Sequence, residues 1–157
     1  MNDISIAKEI ALKVSNLGGK VYYVGGYVRD KILNIENKDI DIEVHGITPK
    51  QLEEILTYYC NVISFEGTKQ GVNYAAYRLF NKTIKDVNLA EAALLAGLVK
   101  SPTIYNTLRN EENAYTRKNL VLKAMLNNNY ITKEEYNIAS SLKISDLIKK
   151  KEKIKKE

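Results

Sequence analysis

The chain has 157 residues, which is enough for one compact domain or two small lobes, and its 45% hydrophobic residues can build a core. Cys60 is the only cysteine and His45 the only histidine, which excludes an internal disulfide and a zinc site made of cysteine and histidine alone. The formal net charge of +5 comes largely from lysines in the last fifteen residues, so the remainder is close to neutral.

No segment approaches the roughly 20 apolar residues of a membrane-spanning helix, and the N-terminus lacks the apolar stretch of a secretory signal. These two features predict a cytoplasmic location. The lysine-rich tail at 143–157 is expected to be a solvated helix end, and the alternative is contact with phosphate or anionic lipid.

A helix, a strand and a second helix are predicted at the start of the chain. Asp3 or Ser5 can cap a helix that runs to about residue 17, where two glycines end it. Residues 20–24 are β-branched and aromatic, which predicts a strand. After the glycine pair at 25–26, residues 27–33 are expected to form a short helix.

An acidic strand is predicted at residues 39–44, where acids and aliphatic residues alternate. Asp39 and Asp41 would then leave one face about 7 Å apart, where both can hold one Mg²⁺ ion. Glu43 extends the same face as a possible third ligand. Because two close carboxylates repel each other, a divalent ion would relieve the cost of holding them together.

The glycine pair suggests a phosphate site beside this strand. Gly25 and Gly26 let the backbone approach a phosphate, toward which the next helix turns its free N–H groups, and Arg29 can add a charged fork. Together with the acidic strand, this predicts a site for a nucleoside triphosphate and Mg²⁺. The simpler alternatives are an ordinary turn, an ion pair of Arg29 with Asp30 or Glu36, and a merely amphipathic strand.

Residues 22–55, YYVGGYVRDKILNIENKDIDIEVHGITPKQLEEI, resemble the start of bacterial CCA-adding tRNA nucleotidyltransferases and related poly(A) polymerases. The resemblance implies CTP or ATP and possibly tRNA as partners, and Asn34 stands where that family usually has glycine. The family's later strands and its helical neck are not found after residue 56, so we expect Mg-nucleotide binding at most. The residue roles implied are triphosphate contacts from Gly25, Gly26 and Arg29, support of the turn by Asp30, and catalytic metal binding by Asp39 and Asp41.

Residues from 49 onward are predicted to be almost entirely helical. Strand patterns nearly disappear there, so composition and periodicity change near residues 50–60. The expected helices cover about 49–59, 71–80, 89–99, 111–128, 133–142 and 144 onward.

With Gly71, Ala75-Ala76 and the run LAEAALLAGL among its markers, the chain from residue 52 to about 145 resembles the C-terminal part of the peptidoglycan glycosyltransferase domain of penicillin-binding proteins. Thr57 stands where that family normally has glutamate, and Cys60 where it has leucine. The resemblance implies peptidoglycan or a lipid-linked disaccharide as partner. The catalytic glutamates of the family lie upstream of the matching region, and Glu91 does not correspond to either of them. The residues that carry it are Gly71 with Ala75-Ala76, LAEAALLAGL at 89–98, Lys100-Ser101-Pro102, Arg117-Lys118 and Val121-Leu122.

Arg117 and Lys118 are the candidate cations of this region. They are expected either to contact the donor phosphates or to stabilise the lobe, and the alternative is that both are exposed. The small residues of LAEAALLAGL predict close packing against a neighbouring helix. Several tyrosines could line a sugar cleft, although such rings are more often buried with a solvated hydroxyl; they are Tyr58, Tyr59, Tyr74, Tyr77, Tyr105, Tyr115, Tyr130 and Tyr136.

The sequence therefore predicts an α+β, mostly helical protein. A nucleotidyltransferase-like lobe of two or three strands is expected at 1–50, a glycosyltransferase-like helical region at 51–142 and the lysine-rich tail after it. The function ranked first is an incomplete, Mg-dependent nucleotidyltransferase-like protein. The alternatives are a peptidoglycan glycosyltransferase-like protein without its catalytic glutamates and a non-catalytic helical chimera that associates through exposed apolar faces.

Overall fold

The computed structural model describes residues 3–36, 40–63, 65, 71–100, 107 and 110–148. The chain forms two compact units, Met1–Val62 and Ile63–Glu157. Across the described residues, eight α-helices and one two-stranded sheet are present, which confirms the expected α+β, mostly helical class. Asp39, Ser101, Pro102 and the tail after residue 148 lie outside the described residues.

The first unit places helices against a small β-ribbon. Strands β1 and β2 pair antiparallel, with Tyr22 opposite Glu43 and Val24 opposite Asp41. Because a two-stranded ribbon is marginal in water, it requires the helices that contact it. The elements in chain order are α1 (Asp3–Asn16), β1 (Lys20–Val24), α2 (Gly25–Ile32), β2 (Asp41–His45) and α3 (Pro49–Val62).

Helix α3 is held to α1 by both apolar and polar contacts. Ile55 of α3 and Ile10 and Val14 of α1 are buried. The Tyr58 hydroxyl donates a hydrogen bond to the Glu9 carboxylate, and this bond raises the pKa of Tyr58. These two helices therefore supply much of the core of the first unit.

Helix α2 ends with a left-handed residue. Asn34 has φ of +54°, and the amides of Asn34 and Ile35 donate to the carbonyls of Lys31 and Asp30. Such a cap usually contains glycine, and asparagine is among the few other residues that adopt this conformation readily. Asparagine at position 34, where the CCA-adding family usually has glycine, is therefore compatible with the local backbone.

The second unit consists of helices around α5 and α6. Leu94 and Leu98 of α5, Leu122 of α6 and Ile144 of α8 are almost completely buried. Helix α6 also contacts α7. The elements are α4 (Gly71–Phe80), a 3₁₀ turn (Ile84–Asp86), α5 (Leu89–Lys100), α6 (Glu111–Asn127), α7 (Lys133–Ser141) and α8 (Ile144–Leu147).

Gly97 lies where α5 and α6 pack closely together. A Cβ atom at this position would lie 3.0 Å from Cγ of Arg117 and 3.6 Å from its backbone carbonyl carbon. The expected close packing of LAEAALLAGL is therefore confirmed. None of the described helices has both the length and the apolar character to cross a bilayer.

Candidate functional site

The glycine pair and the acidic strand meet at the start of α2. Gly25 begins the helix with φ of +65°, and Gly26 follows it in the first turn. A Cβ atom at Gly25 would lie 2.8 Å from Oδ2 of Asp41, so the absent side chain leaves room for this carboxylate beside the backbone. The structure thus brings Gly25 and Asp41 together.

Arg29 forms the ion pair that the simpler interpretation predicted. Its Nε donates to Oδ1 of Asp30 at 2.7 Å, and this hydrogen bond raises the pKa of the guanidinium. The Asp30 side chain is 10% exposed, whereas that of Arg29 is 69% exposed. A phosphate contact by Arg29 stays a prediction.

The proposed metal ligands are only partly within the described residues. Asp39 lies outside them, so its pairing with Asp41 stays a prediction. Glu43 is paired with His45, whose Nε2 lies 2.9 Å from Oε1 of the glutamate. Within the described ranges, no three histidine, cysteine or acidic side chains are grouped so that they could hold a metal ion.

Lys118 is a buried cation in the second unit. Its side chain is completely buried, and Nζ donates to the carbonyls of Ala139 at 2.9 Å and Leu142 at 2.5 Å, with Ser140 farther away at 3.4 Å. Burial lowers the pKa of Lys118. The exposed position considered for Lys118 is wrong, because the lysine stem reaches inward to the carbonyls at the end of α7. This geometry favours a stabilising role.

Arg117 borders a shallow depression on α6. The depression has a volume of about 270 Å³ and is open to solvent, with Tyr130 79% exposed and Leu120 56% exposed. Nδ2 of Asn128 donates to the carbonyl of Ala124 at 2.8 Å, which leaves the amide oxygen of Asn128 outside that bond. We call this surface the α6 depression, and it is lined by Arg117, Leu120, Val121, Ala124, Met125, Asn128 and Tyr130.

The sequence interpretation did not single out Leu120 or Asn128 as site residues. The signal was present, because Arg117, Val121, Ala124 and Asn128 follow the three- and four-residue spacing of one helix face. Tyr130 is one of the tyrosines that could line a sugar cleft, and it is exposed, whereas burial of the ring is the more usual arrangement.

The protein-family scan matches the Transglycosylase model over residues 42–126. The chain belongs to the transglycosylase family. This transglycosylase-family segment starts in β2, ten residues before the expected position, and continues through α3, α4 and α5 almost to the end of α6. It therefore includes part of both compact units.

Curated relatives and a solved structure agree with this assignment. The chain is 42% identical over 102 residues to penicillin-binding protein 1A of Vibrio cholerae, covering 65% of this chain and 12% of the relative. It is 32% identical over 127 residues to the Streptococcus oralis protein of that name, covering 81% and 20%. The crystal structure of penicillin-binding protein 1A from Haemophilus influenzae matches with a TM-score of 0.55 and 36% identity over 61% of this chain and 14% of that chain.

The transglycosylase-family chain thus spans only a small part of the length of these relatives. The comparisons favour the glycosyltransferase alternative over the nucleotidyltransferase interpretation that was ranked first. The CCA-adding resemblance of the N-terminal residues receives no support from them.

Glu91 and Thr57 are the two residues of the matched segment that bear on catalysis. Glu91 is 3% exposed, accepts from Nζ of Lys82 at 2.8 Å, and forms reciprocal hydrogen bonds with Asn88 at the start of α5. These contacts describe a helix cap rather than a catalytic acid. Thr57 lies exposed on α3, at the position where the family resemblance has glutamate.

Proposed function

We propose that this chain binds peptidoglycan or the lipid-linked disaccharide from which it is made, and that the α6 depression is the binding surface. The observation that carries the proposal is the family match over residues 42–126, which includes most of this depression.

The α6 depression has the chemical character that a sugar ring requires. The exposed ring of Tyr130 offers an apolar face with a polar hydroxyl, and Leu120 extends the apolar area. Asn128 and Arg117 place an amide and a guanidinium at the border. An apolar surface with a few polar groups is typical of small-ligand sites.

Glycosyl transfer requires a carboxylate that removes the proton from the attacking sugar hydroxyl. Threonine at position 57 cannot act as that base, because its hydroxyl does not ionise near neutral pH. The buried Glu91 is already engaged by Lys82 and Asn88. We therefore propose binding without transfer, on the ground that neither Thr57 nor Glu91 can serve as that base. The cytoplasmic location predicted from the sequence stays a prediction.

A pull-down on purified, insoluble peptidoglycan tests this function. We expect the wild-type chain to be retained, and Tyr130→Ala with Asn128→Ala to reduce the retained fraction about tenfold, equivalent to about 1.4 kcal/mol. Tyr77→Ala is the matched control, because Tyr77 is a 65% exposed tyrosine of α4 outside the depression. Equal retention of all three proteins would contradict the proposed surface.

The absence of transfer is tested with lipid-linked disaccharide as the only substrate. We expect no glycan polymer from the wild-type chain, measured by gel separation of labelled product. Polymer formation would show that some carboxylate of this chain acts as the base although position 57 is threonine, and would contradict the non-catalytic proposal.

As a second function we propose Mg²⁺-dependent binding of CTP or ATP in the first unit. The room that Gly25 leaves for the Asp41 carboxylate favours it, because a glycine bend that lets a phosphate approach and a carboxylate able to bind a cation would then lie side by side. Calorimetry should give a Mg²⁺-dependent heat that disappears in Asp39→Asn with Asp41→Asn and persists in the control Asp86→Asn. A heat unchanged by the double substitution would exclude this site.

A further inference from the structure

The C-terminal end of α6 forms a hydrogen-bonded cap beside the α6 depression. Asn129 adopts a left-handed conformation with φ of +59°, and its amide donates to the carbonyl of Leu126 at 3.1 Å. The amide of Tyr130 donates to the carbonyl of Met125 at 2.9 Å. These two bonds are the Schellman arrangement, which commonly brings the side chains at the latter two positions together. The cap therefore holds Tyr130 beside Met125, and both residues line the depression.

Asn128 presents a hydrogen-bond acceptor at the same depression. Its Nδ2 donates to the carbonyl of Ala124 at 2.8 Å. Because a carbonyl only accepts hydrogen bonds, the amide nitrogen faces Ala124 and the amide oxygen faces away from it. Within the part of the chain that the structure describes, no donor is bonded to this oxygen. A ligand in the depression therefore meets an acceptor that suits an N–H donor.

The residues next to this acceptor are apolar. We call Val121, Ala124 and Met125 the apolar floor of the depression. An acetamido group suits both features, because its N–H donates one hydrogen bond and its methyl group is apolar. A plain hydroxyl group would leave the floor without an apolar partner. An unsubstituted amino sugar carries a positive charge, which the guanidinium of Arg117 at the same depression disfavours.

We propose that the α6 depression recognises the N-acetyl group of an amino sugar. Oδ1 of Asn128 accepts the acetamido N–H, the methyl group packs on the apolar floor, and the sugar ring lies against Tyr130. The inference rests on the proposed binding of peptidoglycan and narrows it to the acetamido-bearing sugars of the glycan strand. Asn128 and Tyr130 lie beyond the matched segment 42–126, so the family match assigns neither of them a role.

Three forms of insoluble peptidoglycan test the N-acetyl recognition: intact, chemically de-N-acetylated, and re-acetylated after that treatment. We expect the intact and re-acetylated forms to retain the wild-type chain at least about fivefold better than the de-N-acetylated form, as for the loss of one neutral hydrogen bond. Asn128→Leu should lower retention by the intact form by about the same factor. Asn127→Leu is the matched control, an exposed asparagine of the same last turn outside the depression.

The outcomes separate this inference from the proposed function. Equal retention of the wild-type chain by all three forms would overturn the N-acetyl assignment and leave peptidoglycan binding in place. Retention by none of them would overturn both. An equal loss in Asn127→Leu and Asn128→Leu would contradict the role of the Asn128 oxygen.

An NMR titration gives a measurement that needs no variant, since Asn128→Leu also removes the bond to Ala124. Soluble N-acetylglucosamine oligomers should shift the side-chain amide signals of Asn128 in the isotope-labelled wild-type chain. Glucose oligomers of equal length should leave these signals in place. Equal shifts with both sugars, or no shift with either, would overturn the inference.

Discussion

Replacing Lys118 by methionine should destabilise the second unit by removing its ammonium group from three backbone carbonyls. Methionine keeps most of the apolar stem, so the substitution removes mainly the hydrogen bonds to Ala139, Ser140 and Leu142. The carbonyls of Ala139 and Leu142 lie at the end of α7 and would lose this donor, whereas the Ser140 carbonyl keeps the hydrogen bond from the Tyr115 hydroxyl. The effect is therefore expected at the junction of α7 and α8.

The magnitude follows from the two short hydrogen bonds. A hydrogen bond from a charged donor contributes about 1.5–3 kcal/mol, and a buried carbonyl left without a partner costs about 1–3 kcal/mol. Relief from desolvating the ammonium, which is the cause of its lowered pKa, offsets part of this loss. We expect the free energy of unfolding to fall by about 2–4 kcal/mol.

Urea unfolding followed by circular dichroism measures this change as a lower midpoint with an unchanged slope. Amide exchange should also accelerate in α7 before it does in α5. Lys85→Met, at an exposed lysine of the second unit, is the control, and its effect should stay within about 0.5 kcal/mol. If the two variants are equally stable, Lys118 does not hold the end of α7.

Substitutions at three further positions test local features. Hydrogen bonds from Thr132 lower the pKa of Glu135 in the folded chain. The ionised Glu135 therefore stabilises the fold above the unfolded pKa of roughly 4.3, and this stabilisation is lost as pH falls through the folded pKa. Glu135→Gln should accordingly flatten the acid side of a curve of unfolding free energy against pH. Gly97→Leu should cost about 1–3 kcal/mol in chemical denaturation by forcing α5 from α6, and unchanged stability would refute that contact. Asn34→Val should lower the free energy of unfolding by about 1–2 kcal/mol while Asn34→Gly does not, and a reversed order would contradict the left-handed cap.

Local patterns in the sequence were sufficient to predict most of the secondary structure. Residues 20–24, with two valines and two tyrosines, form β1 as expected, and α4 covers Gly71–Phe80 as expected. Periodicity and glycine positions determine these elements through short-range contacts, which explains the agreement. The start of β2 differs, since the described strand begins at Asp41.

The surroundings of individual site residues were less accessible from sequence. Lysine is rarely buried, so Lys118 appeared to be a surface cation until the carbonyls more than twenty residues away were placed around it. Arg29 pairs with its neighbour Asp30, a contact that could be predicted because it is local. Family membership was visible only in part, because two resemblances overlapped near residues 50–56 and the N-terminal one was ranked first.

Helix α3 has a practical consequence for anyone who wishes to produce the two units separately. It lies in the matched transglycosylase segment, yet its buried Ile55 and its Tyr58 hydroxyl serve the first unit through α1. A recombinant piece cut at residue 50 would lose this cover and expose the apolar side of α1 to aggregation. A cut after Val62 keeps the contacts between α1 and α3 in one piece and leaves the second unit undivided.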